Sequence, residues 1–207
     1  MSKKLNADKL KCAKHFFYER SYKKAGEAFS ELDMPYESGL CELLLNKPKN
    51  AYATWEAAES FDFALSWGLI VCTIVDPDLK HEQKAPPTYF QLRAFFEVYL
   101  NLFIENKLFA FAESLINSRG AFVYINQEIY KFIARALFSN GHFRALPDFI
   151  KHSKEHCYCD PEIHFIEAQM HFEEKNYKKA LTALGETLLI APGYYPALSL
   201  EKEILQI

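Results

Sequence analysis

The feature that most constrains this chain is a spacing of about 34 residues that recurs through its second half. Residues 161–192 have the apolar pattern of two amphipathic helices, joined by a tight turn at Lys175 and Asn176. Four sets of similar residues recur at this spacing: Phe109, Phe143 and Tyr177; Ile104, Phe138 and Phe172; Leu100, Ala134 and Ala168; and Ala112, Leu146 and Ala180. A helix–turn–helix unit at a fixed period predicts stacked helical hairpins.

Length and composition agree with an all-α fold. A chain of 207 residues is long enough to bury roughly 70% of the surface that its unfolded form exposes, so it needs neither a disulfide nor a metal to fold. Its seven glycines are few for a turn-rich β fold or for glycine-rich phosphate loops. We therefore expect helices throughout.

The first half contains less regular units of the same kind. Residues 18–29 echo residues 172–184, with an aromatic residue, a short polar turn and then Tyr-Lys-Lys-Ala. The next unit, over residues 35–59, is degenerate, because Pro48 takes the place of the aromatic residue that follows the turn. An additional helix is predicted over residues 61–75.

A proline-rich segment divides the chain. Residues 77–87 contain three prolines and mixed charges, so we expect a linker between a first part, 1–76, and a second part, 88–207. A helix over residues 89–104 is apolar on nearly every side, which predicts burial against both parts. Regular units follow at about 93–126, 127–160 and 161–194, and residues 195–207 predict a capping helix with a polar outer face.

These units resemble the tetratricopeptide repeat (TPR) family, whose period is about 34 residues, against about 33 for ankyrin and about 40–47 for HEAT repeats. The resemblance covers about three quarters of the chain. Gly141 matches the family's turn glycine, which Arg20 and Lys175 replace elsewhere, and Pro192 closes the last unit. It implies a right-handed superhelical solenoid of about five hairpins with a C-terminal capping helix, acting as a non-enzymatic scaffold that binds other proteins.

The resemblance also implies a concave groove lined by the first helix of each unit, which would hold a peptide or a helix of a partner protein. The groove positions here are Leu10, Lys14, Tyr18, Tyr36, Leu40, Glu97, Asn101, Lys131, Arg135, Phe165 and Gln169. The alternative is that they form the solvated face of a scaffold whose partner binds elsewhere. The family's carboxylate clamp is not expected, because Leu10, Lys14 and Glu37 do not match its residues.

The N-terminal segment supports a different hypothesis. Residues 1–24 contain eight Lys or Arg and two acidic residues, a net charge of +6, so with −3 overall the rest of the chain carries −9. A basic first helix could bind nucleic acid or an anionic surface. It could equally be a solvated face, and we expect nucleic acid to be an unfavourable partner because the acidic remainder repels phosphate.

The motifs of common enzymes and cofactor sites are absent from the sequence, so we expect neither an enzyme nor a cofactor. One cluster contains possible soft-metal ligands: His152, His156, Cys157 and Cys159. The Cys-x-Cys spacing is tighter than usual for zinc, so a polar loop between units is the simpler interpretation.

The five cysteines have no framework spacing and no secretory signal is apparent, which predicts reduced thiols in a cytoplasmic protein. The longest apolar run, residues 63–75, is shorter than the roughly 20 residues of a membrane span. Self-association stays open, because a partner copy could cover the apolar helix over residues 61–75.

Overall fold

The computed structural model of the chain describes residues 2–58, 63–81 and 88–207, and of residues 2–5, 63, 89 and 90 it describes the backbone alone. Within these ranges the chain consists of helices and contains no strand, which confirms the all-α prediction. The α-helices are α1 (Ser2–Tyr18), α2 (Tyr22–Ser30), α3 (Pro35–Leu44), α4 (Pro48–Glu56), α5 (Phe63–Val75), α6 (Tyr89–Glu105), α7 (Phe109–Asn117), α8 (Ile129–Ser139), α9 (Leu146–His156), α10 (Pro161–Glu173), α11 (Tyr177–Ile190) and α12 (Tyr195–Ile204). A short 3-10 helix, Ser118–Ala121, follows α7.

Consecutive helices pair through one recurring turn. The pairs α1 and α2, α3 and α4, α8 and α9, and α10 and α11 each pack together, and α6 contacts α7 through Phe103 and Phe111. After α10, Lys175 has a φ of 59°. Its N–H donates to Phe172 O at 2.9 Å, and the N–H of Asn176 donates to His171 O at 2.8 Å. These two hydrogen bonds define a Schellman motif.

The same motif closes other helices at the same period. Gly141 (φ 71°) lies one repeat period before Lys175, and Lys107 (φ 60°) lies two periods before it. The turns at both residues contain the same two hydrogen bonds as the turn at Lys175. Arg20 (φ 56°) and Asn46 (φ 61°) occupy the corresponding turns of the first two hairpins. The expected substitution of Arg20 and Lys175 for a turn glycine is therefore observed in the backbone.

Two columns of residues that recur at the repeat period are buried. These residues were predicted to lie at helix contacts, and each has an exposed fraction of 5% or less. One column consists of Leu100, Ala134 and Ala168, and the other of Ala112, Leu146 and Ala180. Ala13, Ala25 and Ala51 are fully buried in the earlier hairpins. An alanine at such a position allows two helix backbones to approach closely.

The chain divides into two compact units. The first contains residues 1–86 and 102–118, and the second contains residues 87–101 and 119–207. Residues 102–118 thus group with the first unit, whereas the sequence predicts a single second part from residue 88 onward. Helix α6 contributes to both units, and its residues Leu92, Phe96, Leu100 and Phe103 are fully buried. Part of the predicted linker, residues 82–87, and residues 61–62 of the predicted additional helix lie outside the described residues.

Helix α12 differs from its prediction. It packs on α11 through the fully buried Ala197 and through Ile204. The expected polar outer face is mixed instead, because Tyr195, Leu198 and, just beyond the helix, Leu205 are exposed.

Candidate functional site

The predicted groove positions of the second unit lie on α6, α8 and α10, where most of their charged groups pair with one another. Glu97 on α6, Arg135 on α8 and Glu162 on α10 form a series of ion pairs from helix to helix. We call these residues, with Arg93, Glu128, Lys131 and Asp160, the charge ladder.

Lys131 is the most buried member of the charge ladder, with an exposed fraction of 7%. Its ammonium donates to Asp160, lies 2.7 Å from Glu128 Oε2 and lies 3.7 Å from Glu162 Oε2. Burial alone would lower the pKa of this ammonium, but its hydrogen bonds to Asp160 and Glu128 outweigh burial and raise the pKa above its ordinary value. Lys131 therefore serves as a buried cation that joins α8 to the start of α10.

Asp160 has a second role at the start of α10. Its side chain caps the helix by accepting a hydrogen bond of 2.9 Å from the N–H of Glu162. A carboxylate at a helix N-terminus is stabilised by the unpaired N–H groups there. One side chain thus begins α10 and holds the ammonium of Lys131.

Arg135 connects the two neighbouring helices. Its Nη2 lies 2.7 Å from Glu162 Oε1, and its Nη1 lies 3.0 Å from Glu97 Oε1. The Glu97 oxygen is buried and accepts no hydrogen bond, so this second contact is a charge attraction without hydrogen-bond alignment. Arg93 holds the other oxygen of Glu97 at 3.2 Å. Both nitrogen ends of the Arg135 guanidinium are therefore occupied by the chain's own carboxylates.

Polar amides extend the contact between α6 and α8. The Asn140 Nδ2 donates to Asn101 Oδ1 at 2.6 Å and to Ala136 O at 2.8 Å. The Asn101 Nδ2 in turn donates to Glu97 O at 2.7 Å. Asn101, a predicted groove residue, is thus a half-buried link between two helices.

The aromatic part of this face includes a residue of α10. Phe165 is half-buried, and its ring centroid lies 5.3 Å from that of Tyr194. Burial, with the nearby charge of Glu162, raises the pKa of the Tyr194 hydroxyl. Gln169 is half-buried one helical turn beyond Phe165. We call Phe165, Gln169 and Tyr194 the α10 face. It offers an aromatic surface and an amide beside the charge ladder.

The predicted groove residues of the first unit have different surroundings. Tyr36 stacks on Trp55 with ring centroids 6.1 Å apart, and Leu40 is buried. The placement of Leu40 contradicts its prediction as a groove residue, because it belongs to the core. Lys14 and Tyr18 are exposed on α1, Tyr18 by 79%.

Five participants were missed by sequence reasoning: Arg93, Glu128, Asp160, Glu162 and Tyr194. A signal for Arg93 and Glu128 was present in the sequence. Glu97 and Lys131 are one repeat period apart and carry opposite charges. Each has an ion-pair partner on its own side in the sequence: Arg93 lies four residues before Glu97, and Glu128 lies three residues before Lys131. Alternating charge at equivalent positions of successive helices indicates pairing between helices. Tyr194 had no such signal, because it lies in the turn before α12.

The possible metal ligands are arranged for other contacts. His152 and His156 both stack on Tyr130, with ring centroids 5.1 Å and 5.8 Å away. Burial and the charge of Asp160 raise the pKa of the Cys157 thiol, which is half-buried, and Cys159 is an exposed free thiol. Across the described ranges, no group of three or more His, Cys, Asp or Glu side chains is arranged to hold a metal ion.

A cleft of about 650 Å³ lies between α9, α10 and α11. Ile150 and Met170 are buried beneath it. Three of its polar groups have partners within the chain: Lys154 pairs with Glu167, His171 with Glu174, and the Tyr158 hydroxyl with Glu186. The cleft is therefore an apolar depression, and several of the polar groups at its walls are engaged within the chain.

Among the described residues, the structure contains no helix that combines the length and the apolar character needed to cross a bilayer. Comparison of the chain with protein-family models, with curated proteins and with solved structures finds no match.

Proposed function

We propose that this protein is a non-enzymatic interaction scaffold, a TPR-like solenoid that binds a peptide or a helix of another protein along the first helices of its hairpins. The observation that carries the proposal is the repetition of one Schellman turn at 107, 141 and 175, together with the two buried columns of alanine and leucine at the same period. Repeated hairpins of this kind present equivalent side chains in a row, which suits recognition of an extended segment.

The proposed contact surface in the second unit is the α10 face. The cations of Lys131 and Arg135 are engaged within the chain, so binding through them would require breaking several ion pairs. Phe165, Gln169 and Tyr194 are half-buried and combine aromatic area with hydrogen-bonding groups. Aromatic residues of this kind are enriched among the side chains that dominate binding energy.

A cross-linking experiment tests the proposal without disturbing the charge ladder. A photoreactive phenylalanine analogue replaces Gln169 in the full chain, and the protein is irradiated in native lysate. We expect one or a few proteins to be cross-linked from this position. The matched control carries the same analogue at Leu189, which is 78% exposed on α11.

Cross-links from Gln169 that are absent from Leu189 would support binding on the α10 face. Equal cross-linking from both positions, or none from Gln169, would contradict it. Reversing the charges of Lys131 and Arg135 is a poorer test, because it would place two further carboxylates among Glu97, Glu128, Asp160 and Glu162 and destabilise the unit itself.

Nucleic-acid or anionic-surface binding through residues 1–24 is the second candidate. It would use Lys11 and Lys14, which are exposed on α1 and form no ion pair among the described side chains.

A further inference from the structure

One face of α1 is left uncovered by the rest of the first unit. A shallow cleft of about 450 Å³ runs along it, lined by Ala7, Leu10, Lys11, Lys14, His15 and Tyr18. We call these six residues the α1 stripe. Their spacing keeps them on one side of the helix over about 17 Å. The opposite side, with the fully buried Ala13, packs on α2.

The α1 stripe differs from the charge ladder in that its cations are not neutralised. Elsewhere in the basic segment, Lys9 pairs with Glu31 at 3.1 Å, Lys24 lies 5.8 Å from the centre of the Phe16 ring, and Arg20 donates to Glu105 O at 2.8 Å. Lys11 and Lys14 have no such partner among the described side chains. The stripe itself contains no carboxylate.

The apolar members of the stripe restrict what could cover it. Leu10 is half-buried, and Tyr18 is 79% exposed at the end of the helix. Lys11 and Lys14 lie between the apolar side chains of Leu10 and Tyr18. This arrangement is complementary to a partner helix that presents leucines and carboxylates on one side.

Two other occupants fit less well. A single-stranded nucleic acid needs several cations and several aromatic platforms, but the stripe offers two lysines and one tyrosine. An anionic membrane needs a helix with bulky apolar residues along one face, and Ala7, Leu10 and Tyr18 supply little such area.

We propose that the α1 stripe binds an acidic amphipathic helix of another protein, with carboxylates at Lys11 and Lys14 and apolar side chains at Leu10 and Tyr18. The proposal rests on the scaffold function proposed above and names the chemistry of a partner for the first unit. Because the cross-linking test concerns Gln169 in the second unit, either proposal can fail without the other.

The test uses the full chain and a fluorescent peptide as long as the stripe, with leucines at helical spacing flanked by glutamates. We expect saturable binding in anisotropy measurements. Lys11→Glu with Lys14→Glu should weaken it about tenfold or more, because two attractive charge contacts become repulsive. The milder pair Lys11→Gln with Lys14→Gln should weaken it less.

The matched control is Lys23→Glu with Lys24→Glu, which changes the net charge of the same basic segment equally but on exposed positions of α2. It should retain binding within about twofold, since exposed charges off the contact mainly affect association through the long-range field. A peptide with lysines in place of the glutamates should not bind.

Three results would overturn the proposal: no saturable binding of the acidic peptide, equal weakening by the control variant, or tighter binding of an oligouridylate or of phosphatidylserine-containing vesicles than of the peptide. The last result would instead assign the stripe to nucleic acid or to an anionic membrane.

Discussion

Lys131 has a role that its position in the sequence does not reveal. At groove positions of a repeat array, a lysine is ordinarily interpreted as a charge available to a partner. Here it is 7% exposed and lies among Glu128, Asp160 and Glu162. A buried ammonium is tolerated only where several acceptors replace its lost hydration.

We predict that Lys131→Met lowers the free energy of unfolding by about 2–3 kcal/mol, because it leaves the carboxylates of Glu128 and Asp160 without the cation that they share. Breaking a fully buried ion pair costs about 3–5 kcal/mol, and the loss is smaller here because the carboxylates keep some contact with water. Urea denaturation measures the change. Lys151→Met, at an exposed position of α9, is the control and should change stability by less than about 0.5 kcal/mol. Equal effects of the two variants would contradict the assigned role.

The stabilisation should depend on pH in a defined direction. Because the folded-state pKa of Lys131 is raised, its contribution is complete below the unfolded-state value of about 10.4 and is lost as the pH rises through the folded-state pKa. We therefore predict a constant stability difference between the wild type and Lys131→Met from about pH 7 to about pH 10, and a smaller difference above that range. A difference that grows with alkaline pH would contradict the assignment.

Trp55 depends on two glycines. A Cβ on Gly39 would lie 2.3 Å from Trp55 Nε1, and one on Gly68 would lie 2.6 Å from Trp55 Cε3. The indole also donates to Tyr36 O at 3.1 Å. Because the ring is 2% exposed, it has little room to move. The glycines of α3 and α5 thus create the space in which the indole packs.

We predict that Gly39→Ala and Gly68→Ala each lower stability by about 1–3 kcal/mol, and by less when Trp55→Leu is already present, since the smaller side chain removes the clash. Thermal unfolding followed by circular dichroism would measure this. Gly185→Ala is the matched control, because a Cβ added there, in α11, would meet no atom within 4 Å. It should raise stability by about 0.5–1 kcal/mol through helix propensity. A loss at Gly185 as large as at Gly39 would contradict the explanation.

At the scale of single elements, the turns are the most regular feature of the chain. Non-glycine residues adopt a left-handed conformation at Arg20, Asn46, Lys107 and Lys175, which costs roughly 1–2 kcal/mol for a residue with a Cβ. The Schellman hydrogen bonds and the packing of the next helix offset this cost.

We predict that Lys175→Gly raises stability by about 0.5–1 kcal/mol, because glycine adopts this conformation without the steric cost but loses more entropy on folding. Gly141→Ala should lower stability by about 1 kcal/mol for the converse reason. Urea midpoints would measure both changes. Lys151→Gly, inside α9, should lower stability by about 1 kcal/mol. If glycine at 175 were as harmful as at 151, the left-handed turn would be refuted.

The elements could be predicted largely because their signals are local. A proline or polar turn and a constant repeat period placed α10, α11 and α12 within a few residues of their observed bounds. The exposed face of α12 could not be inferred in this way, because which side of a helix stays uncovered depends on the neighbours that pack against it.

At the scale of the whole molecule, the repeat pattern of the sequence did not predict which distant segments contact one another. Tyr22 donates to Asn106 Oδ1 at 2.6 Å, a contact between residues 84 positions apart that groups residues 102–118 with the first unit. The proline-rich segment had indicated a boundary near residue 88. The charge ladder was missed because the repeat period predicts only that side chains at equivalent positions of successive helices form a row. It does not predict whether that row faces a partner or forms ion pairs within the chain.

The measurement that tests the central claim most directly is hydrogen–deuterium exchange of the full chain with and without the protein cross-linked from Gln169. Binding along the first helices predicts slower amide exchange over α8 (Ile129–Ser139) and α10 (Pro161–Glu173), with exchange in α9 and α11 unchanged. Slower exchange confined to α9 and α11, or no change in α8 and α10, would contradict the proposed scaffold surface.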